Sequence, residues 1–294
     1  MHIIIPACGR GERFLAAGYD VVKPLIPVQG IPMVEKVKSS LVLKEEDNIH
    51  VVTNVDVHLD NVIKIDSQTC GAAETVLIAI ESYLREEKGP VLIVDCDAMY
   101  NSDLLETFRR LENDSQIRAA VLCFEESNAD QSHPPKYSYV EVNSISRVQS
   151  IAEKIRISKF ANTGAYWFAD IQEFREVTKA MILEEKYKYA KEAYISCVLQ
   201  EYLHLEKDVK ACEIKEHEYD NIGTPDCLEK YLEKQNNVFL FDLDGTIVNT
   251  EVAYTDAWYK LLKDKGACVT SGFFVEHISG LSDAQVSQNF NIDL

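Results

Sequence analysis

The sequence predicts an α/β fold in which a mixed, mostly parallel sheet is flanked by helices. Short, entirely apolar segments alternate with longer helical ones along the chain. Strands that are apolar on both faces belong inside a sheet that helices cover on each side. The chain has 294 residues, 46% of them hydrophobic and 27% charged, which is enough for one large domain or two smaller ones.

The predicted elements follow one another from the first residues onward. Asn101, Ser102 and Asp103 supply the capping residues expected before the third helix. We predict strands at Ile3–Ile5, His50–Thr53, Val62–Ile65, Val91–Val94, Ala119–Phe124, Tyr137–Val142 and Gly164–Phe168. We predict helices at Met33–Leu43, Ala72–Arg85, Asp103–Glu112, Ile171–Leu183, Lys191–Leu203 and Pro225–Lys234.

A polar break, Gln235-Asn236-Asn237, is predicted to separate two domains. A new apolar strand, Val238–Phe241, follows the break, and a further helix is predicted over Thr255–Lys265. We therefore expect one domain over residues 1–235 and a second over residues 236–294.

Charge and composition exclude several classes of partner. The formal net charge of −18 repels nucleic acid and anionic membrane surfaces. The apolar runs are too short to span a bilayer, and the first residues do not resemble a secretory signal. Eight cysteines without Cys-x-x-Cys spacing argue against a zinc site and are typical of a reducing, cytoplasmic environment.

The first candidate site is the loop PACGRGER, residues 6–13, which follows the first strand. In α/β sheets ligands bind at the carboxyl ends of the strands, and glycines let backbone N–H groups contact phosphate oxygens. A dinucleotide fingerprint would need a third glycine where Phe14 stands, and residues 16–20 are predicted as loop rather than helix. A tight turn with solvated arginines is the alternative interpretation of Gly-x-Gly alone.

A second loop close behind the first strengthens the phosphate interpretation. It reads Lys-Pro-Leu-Ile-Pro at residues 23–27. The guanidinium of Arg13 is planar and can donate two parallel hydrogen bonds, whereas the ammonium of Lys23 is a compact charge. Together they could hold a triphosphate from two sides.

The strand VLIV ends in Asp95-Cys96-Asp97. Carboxylates that follow an apolar strand leave the core at its carboxyl edge, where a divalent cation bridging phosphates needs one or two of them. A helix- or turn-capping aspartate is the alternative.

On these residues, residues 1–235 resemble the sugar-phosphate nucleotidyltransferases, also called pyrophosphorylases. Their first motif, Gly-x-Gly-x-Arg followed by Lys-Pro-x-x-Pro, stands here at residues 9–13 and 23–27. The resemblance implies a Rossmann-like sheet of the type shared with GT-A glycosyltransferases. Further segments match in the same order: CGAAETV (70–76), AEK (152–154), ANTGAYWF (161–168), EAYIS (192–196) and YDNIGTPD (219–226).

The resemblance also implies a role for each site residue. Arg13 and Lys23 would hold the departing phosphates, Lys154 would neutralise the acceptor phosphate, and Asp97 and Asp220 would hold Mg²⁺. The remaining contacts to the nucleotide would come from Ala7, Gly9, Gly11, Gly71 and Ala72. Those to the acceptor would come from Asn162, Gly164 and Glu192.

The implied reaction is attack of an acceptor phosphate oxygen on the α-phosphorus of a nucleoside triphosphate, with release of pyrophosphate. The segments GAAETV, YSYVEV and NTGAYWF are most similar to enzymes of capsule and surface-polysaccharide synthesis, which favours CTP and a sugar- or polyol-phosphate. Two alternatives stay open: a GT-A-like glycosyltransferase that uses Asp95-Cys96-Asp97, and a non-catalytic nucleotide-binding domain.

A second motif, VFLFDLDGTIVNT at residues 238–250, resembles the haloacid dehalogenase phosphatases. The resemblance implies that Asp242 is a nucleophile forming an aspartyl-phosphate, that Asp244 is a general acid/base, and that both help to hold Mg²⁺. The family's later Ser/Thr, lysine and acidic motifs do not follow. We therefore expect an incomplete segment without phosphatase activity in this chain, either a fragment of a full domain or a vestigial one.

Overall fold

The computed structural model describes residues 1–126, 134–235, 251–266 and 281–290. The chain divides into two compact units, Met1–Gln235 and Asn236–Leu294. In the part of the chain that the structure describes, no helix is both long and apolar enough to cross a membrane.

The first unit alternates strands and helices along the chain. Its strands are β1 (His2–Pro6), β2 (Pro27–Val28), β3 (Ile31–Pro32), β4 (Asn48–Thr53), β5 (Val62–Lys64), β6 (Val91–Val94), β7 (Ala98–Tyr100), β8 (Ile117–Glu125), β9 (Ser138–Val142), β10 (Val148–Glu153), β11 (Phe160–Phe168), β12 (Asp208–Ile214) and β13 (Tyr219–Asn221). Its helices are α1 (Glu12–Ala16), α2 (Met33–Ser39), α3 (Ala72–Tyr83), α4 (Leu104–Arg109), α5 (Ile171–Leu183), α6 (Ile195–His204) and α7 (Pro225–Gln235).

Nine of the described strands form one mixed sheet. Its main path runs β10-β9-β11-β6-β1-β4-β5, and β8 joins β11 to β12. Strand β1 is parallel to both β4 and β6, whereas β11 is antiparallel to β6 and β8. Because β1 and β6 run in the same direction, the segments that follow them emerge at the same edge of the sheet.

Helices cover both faces of this sheet. The core on one face includes buried side chains of α2, α4 and α7, and the core on the other includes those of α3, α5 and α6. The strands between them are apolar on both sides, so β1 and β6 bury every residue. The predicted α/β class with flanking helices is confirmed.

A short antiparallel pair lies outside the main sheet. Strand β13 pairs with β7 so that Asp220 lies opposite Met99 and Asn221 lies opposite Ala98. This pair brings a late segment of the unit next to the residues that follow β6.

Several predicted boundaries were wrong, among them the starts of two helices. Helix α1 begins at Glu12, where the sequence predicted a loop, because Phe14 is buried and packs edge-on against Tyr19 at 5.1 Å between ring centroids. Helix α6 begins at Ile195 rather than Lys191, since Lys191 has a φ of 71°, which a right-handed helix does not allow.

The described residues of the second unit include two helices, α8 (Glu251–Asp264) and α9 (Asp283–Phe290). Trp258 and Leu262 of α8 and Val286 of α9 are buried together. Asp242 and Asp244, the predicted phosphatase residues, lie outside the described residues.

Candidate active site

The glycine-rich loop and the lysine loop lie against each other. Gly11 has a φ of 67° at the N-cap of α1, and a Cβ at this position would lie 2.8 Å from the Lys23 Cβ. Ala7 anchors the start of the loop, since its N–H donates to Val52 O at 2.7 Å. Arg13 is exposed and has no ion-pair partner among the described residues, so its guanidinium is free to bind an anion.

Lys23 reaches across the sheet edge to Asp97. Its Nζ donates a hydrogen bond to Asp97 Oδ2, and the two side chains are 18% and 20% exposed. Burial lowers the pKa of Lys23, but the charge of Asp97 and its hydrogen bond raise it, and the net result is a raised pKa. The lysine is therefore a cation held at the point where β6 ends.

Asp95 lies beside the same pair. Its N–H donates to Gly164 O at 2.8 Å, and a Cβ at residue 164 would lie 2.5 Å from Asp95 Oδ2. Burial and the neighbouring charge of Asp97 raise the pKa of Asp95 well above its ordinary value.

Asp220, the second predicted metal ligand, is engaged elsewhere. Its carboxylate accepts a hydrogen bond from Lys234 Nζ at 2.5 Å and one from Asn101 Nδ2 at 3.4 Å. Lys234 belongs to the last turn of α7, so this ion pair ties the helix to strand β13. The printed contacts of Asp220 are thus with Lys234 and Asn101, and its role as a metal ligand stays a prediction.

The neighbouring residue, Asn221, lies beside Asp97 instead. A Cβ at Gly223 would overlap Asp97 Oδ2 and would lie 2.8 Å from Asp97 Cγ and 3.2 Å from Asn221 Oδ1. Asn221 Oδ1 accepts from Gly223 N at 2.8 Å, and Ile222 N donates to Asp97 O at 2.9 Å. The missing side chain at residue 223 thus leaves a cradle in which a carboxylate oxygen and an amide oxygen approach one point.

This cradle fits Mg²⁺. The ion takes oxygen ligands and is usually held by one or two carboxylates together with substrate phosphates. Asp97 supplies one carboxylate and Asn221 one neutral oxygen, with Lys23 beside them for the phosphates. Among the described residues no cluster of three or more His, Cys, Asp or Glu side chains could hold a metal ion by itself.

The predicted nucleotide segment at the start of α3 is joined to the predicted acceptor segment. Ala73 N donates to Ala193 O at 2.8 Å, and Ala193 N donates to Cys70 O at 2.9 Å. A Cβ at Gly71 would lie 2.5 to 2.8 Å from three backbone atoms of Ala193, so only glycine permits this approach. Ala72 is the first residue of the helix that follows.

Lys154 lies at the end of β10 against Tyr194. Its Nζ hydrogen-bonds Tyr194 OH and lies 4.4 Å from the centre of that ring. Glu153, one residue earlier, accepts from Ser196 Oγ at 2.6 Å, and burial raises its pKa. The sequence did not single out Glu153 or Ser196, although both lie within the matched segments AEK and EAYIS.

Asn162 and Glu192, which are also predicted to contact the acceptor substrate, differ in exposure to solvent. Asn162 is buried in β11 and its amide is used internally, donating to Ser138 Oγ at 2.8 Å and accepting from Gly164 N at 2.9 Å. Glu192 is exposed, in the turn before α6. The amide of Asn162 is therefore occupied by internal hydrogen bonds, whereas Glu192 is accessible to solvent.

Comparisons with known proteins identify the family of the chain. A family model described as nucleotidyl transferase matches residues 2–238. No curated protein sequence matches the chain.

Solved structures share the fold. A nucleoside-diphosphate-sugar pyrophosphorylase from Vibrio cholerae RC9 superposes with a TM-score of 0.64 at 19% identity, over 79% of this chain and 99% of that one. An inositol-1-phosphate CTP transferase from T. maritima gives 0.57 at 16% identity, over 81% and 98%. A UDP-glucose pyrophosphorylase complexed with UDP-glucose gives 0.61 at 16% identity, over 80% and 97%.

These structural similarities establish the fold. The family match adds evidence from the sequence itself, which a shared fold does not supply. It spans the glycine-rich loop, the Lys23–Asp97 pair and the β7–β13 pair in one continuous stretch. The chain therefore belongs to the nucleotidyl transferase family.

Proposed function

We propose that residues 1–235 form a Mg²⁺-dependent nucleotidyltransferase that joins a nucleoside triphosphate to a phosphorylated sugar or polyol and releases pyrophosphate. The observation that carries the proposal is the Lys23–Asp97 hydrogen bond. It joins the loop expected to hold the triphosphate to the carboxylate expected to hold the metal, at the sheet edge where α/β folds bind ligands.

The chain's own residues act by position and charge. Arg13 and Lys23 neutralise the departing phosphates, and Lys154 leaves the Tyr194 ring to contact the acceptor phosphate. Asp97 and Asn221 would hold Mg²⁺, and the ion would supply charge neutralisation at the phosphate oxygens. Nucleotidyl transfer needs little covalent work from the protein, so alignment of the acceptor oxygen with the α-phosphorus supplies most of the catalysis.

The preferred substrates are CTP and a sugar- or polyol-phosphate. The name of the T. maritima neighbour, an inositol-1-phosphate CTP transferase, supports testing CTP and polyol phosphates first. A role in the cytoplasmic synthesis of surface-polysaccharide precursors is proposed from the resemblance of the segments GAAETV, YSYVEV and NTGAYWF to enzymes of that synthesis. The proposed nucleotidyl transfer does not involve Asp242 or Asp244.

The experiment is a pyrophosphate-release assay on the full chain. The four ribonucleoside triphosphates and dTTP are each paired with a panel of sugar and polyol phosphates, with MgCl₂ or with EDTA. We expect release from at least one pair with MgCl₂ and none with EDTA, and we expect Asp97→Asn to abolish it.

Absence of metal-dependent pyrophosphate from every pair would overturn the proposal. Incubation with UDP-glucose and CDP-activated sugars tests the glycosyltransferase alternative in parallel, because that reaction releases a nucleotide and no pyrophosphate. Release of the nucleotide that depends on Asp95 and Asp97 would favour that alternative.

A further inference from the structure

An open cavity of about 340 Å³ lies away from the candidate active site. Its lining residues come from the turn after α3 and from the first turns of α5. They are Arg85, Glu86, Lys88, Gln172 and Arg175. The turn after α3 leads into β6, whereas Asp95 and Asp97 follow that strand. The cavity therefore lies at the amino end of β6, and the candidate active site lies at its carboxyl end.

The cavity is positively charged in an acidic chain. Three of its five lining residues are cations, although the formal net charge of the chain is −18. Glu86 is the one carboxylate of the lining. Arg85 and Lys88 are exposed and form no ion pair within the described residues. A concave surface lined mainly by charge of one sign concentrates ions of the opposite sign, so this cavity attracts anions.

Arg175 keeps a donor available for an anion. Its side chain is 21% exposed, and its Nε and Nη2 donate to Glu176 Oε1 at 3.1 and 2.5 Å. Its Nη1 has no hydrogen-bond partner among the described residues. Because Glu176 is exposed, this surface ion pair contributes little free energy and does not prevent an anion from binding the guanidinium.

The backbone that carries the cations is fixed by hydrogen bonds. Gln172 Nε2 donates to Arg85 O at 2.9 Å and to Glu87 O at 2.6 Å. In addition, Ile171 N donates to Gly89 O at 2.9 Å. These bonds attach the turn after α3 to the start of α5 before any ligand arrives. Groups that are ordered in advance lose less freedom on binding, which favours affinity.

The lining residues also define the chemistry of the ligand. All five are charged or polar, whereas sites for larger organic ligands are lined mainly by hydrophobic and aromatic side chains. None of the five can stack on a ring or cover an apolar surface. Guanidinium groups match the geometry of phosphate oxygens, and a lysine adds a compact charge. A cation after the end of a helix is common, so Arg85 alone would indicate nothing, but three cations converge here.

We propose that this cavity binds a compact phosphate anion, orthophosphate or pyrophosphate, through Arg85, Lys88 and Arg175. The lining carries three positive charges and one negative charge, so an anion with two or more charges balances it. The site is separate from the phosphate contacts proposed for Arg13 and Lys23. It does not depend on the proposed nucleotidyl transfer.

Isothermal titration calorimetry of the full chain with sodium pyrophosphate, and separately with sodium phosphate, tests the proposal. The buffer contains EDTA, so no divalent cation can hold either anion in the candidate active site, and Lys23→Ala removes the lysine there. Arg85→Gln, Lys88→Gln and Arg175→Gln each remove one charge from the cavity. Lys230→Gln removes one charge from an exposed position on α7 and is the matched control.

We expect one anion to bind each chain, with the same affinity in the unmodified chain, Lys23→Ala and Lys230→Gln. Each of the three cavity variants should bind at least about 10-fold more weakly, because each loses a charge-assisted hydrogen bond. Arg85→Lys should lose less than Arg85→Gln, because it keeps the charge and loses only the planar guanidinium. The anion that binds more tightly identifies the source of the phosphate.

Absence of saturable binding of both anions to the unmodified chain would overturn the proposal. Binding that survives in all three cavity variants, or that Lys230→Gln weakens equally, would also overturn it. Loss of binding in Lys23→Ala with full binding in Arg85→Gln would place the anion in the candidate active site instead. Circular dichroism melts confirm that each variant is folded. The titration measures no turnover, so its failure is distinguishable from failure of the pyrophosphate-release assay.

Discussion

Lys23 and Asp97 are 74 residues apart in the chain and are joined by a hydrogen bond between partly buried side chains. We expect Lys23→Ala to lower the free energy of unfolding by about 1–3 kcal/mol, because Asp97 then lacks its cation. Urea unfolding of both single variants and of Lys23→Ala/Asp97→Asn should give a coupling energy of about 0.5–3 kcal/mol. Strictly additive losses would mean that the pair does not form in solution.

The same lysine should matter more to turnover than to stability. Loss of one charge-stabilising contact in the transition state typically costs on the order of 100- to 1,000-fold in rate. We expect that loss in kcat for Lys23→Ala with any active substrate pair. Lys230→Ala, an exposed lysine on α7, is the control and should keep full activity. Equal losses in the two variants would remove Lys23 from the site.

Lys154 should govern the acceptor and not the nucleotide. A hydrogen bond to a charged group contributes about 2 kcal/mol, so we expect Lys154→Ala to raise the acceptor KM by roughly 30-fold with the nucleotide KM unchanged. Tyr194→Phe keeps the ring under Lys154 and should change either constant little. An equal rise of both KM values in Lys154→Ala would contradict the assignment.

Glu153 should make stability depend on pH. Burial raises its pKa in the folded state above the ordinary value of 4.5, so its ionisation is disfavoured there. The stability that the protonated carboxyl provides is complete below the unfolded pKa and is lost as pH rises through the folded pKa. We expect Glu153→Gln to unfold like the unmodified chain near pH 4 and to be more stable at pH 7. Identical urea curves at both pH values would show that the carboxylate is fully solvated.

Gly71 and Gly9 form a matched pair of glycines in two predicted nucleotide segments. A Cβ at Gly71 meets the Ala193 backbone, whereas nothing lies within 4 Å of one at Gly9. We expect Gly71→Ala to lower the free energy of unfolding by about 1–3 kcal/mol, the usual cost of overpacking, and Gly9→Ala to change it little. Thermal melts of both variants measure the difference. Equal melting temperatures would mean that the two segments do not meet.

Several elements could be read from the sequence because each carries its own signal. Strands β1 and β6 are wholly apolar, and α3 and α5 were predicted within two residues of their observed ends. Strand β13 carries no such signal. Its three residues are one aromatic residue and two polar ones. They form a strand only because β7, which is far away in the sequence, pairs with them.

The sequence by itself determined the α/β class, the order of the motifs and the family resemblance, since these depend on residue type and spacing along the chain. Only the tertiary structure decided that Asn221 lies beside Asp97 at Gly223, and that Asp220 contacts Lys234 and Asn101. The reason is that these contacts join segments that are far apart in the chain, and the pairing of β13 with β7 is what brings the two segments together.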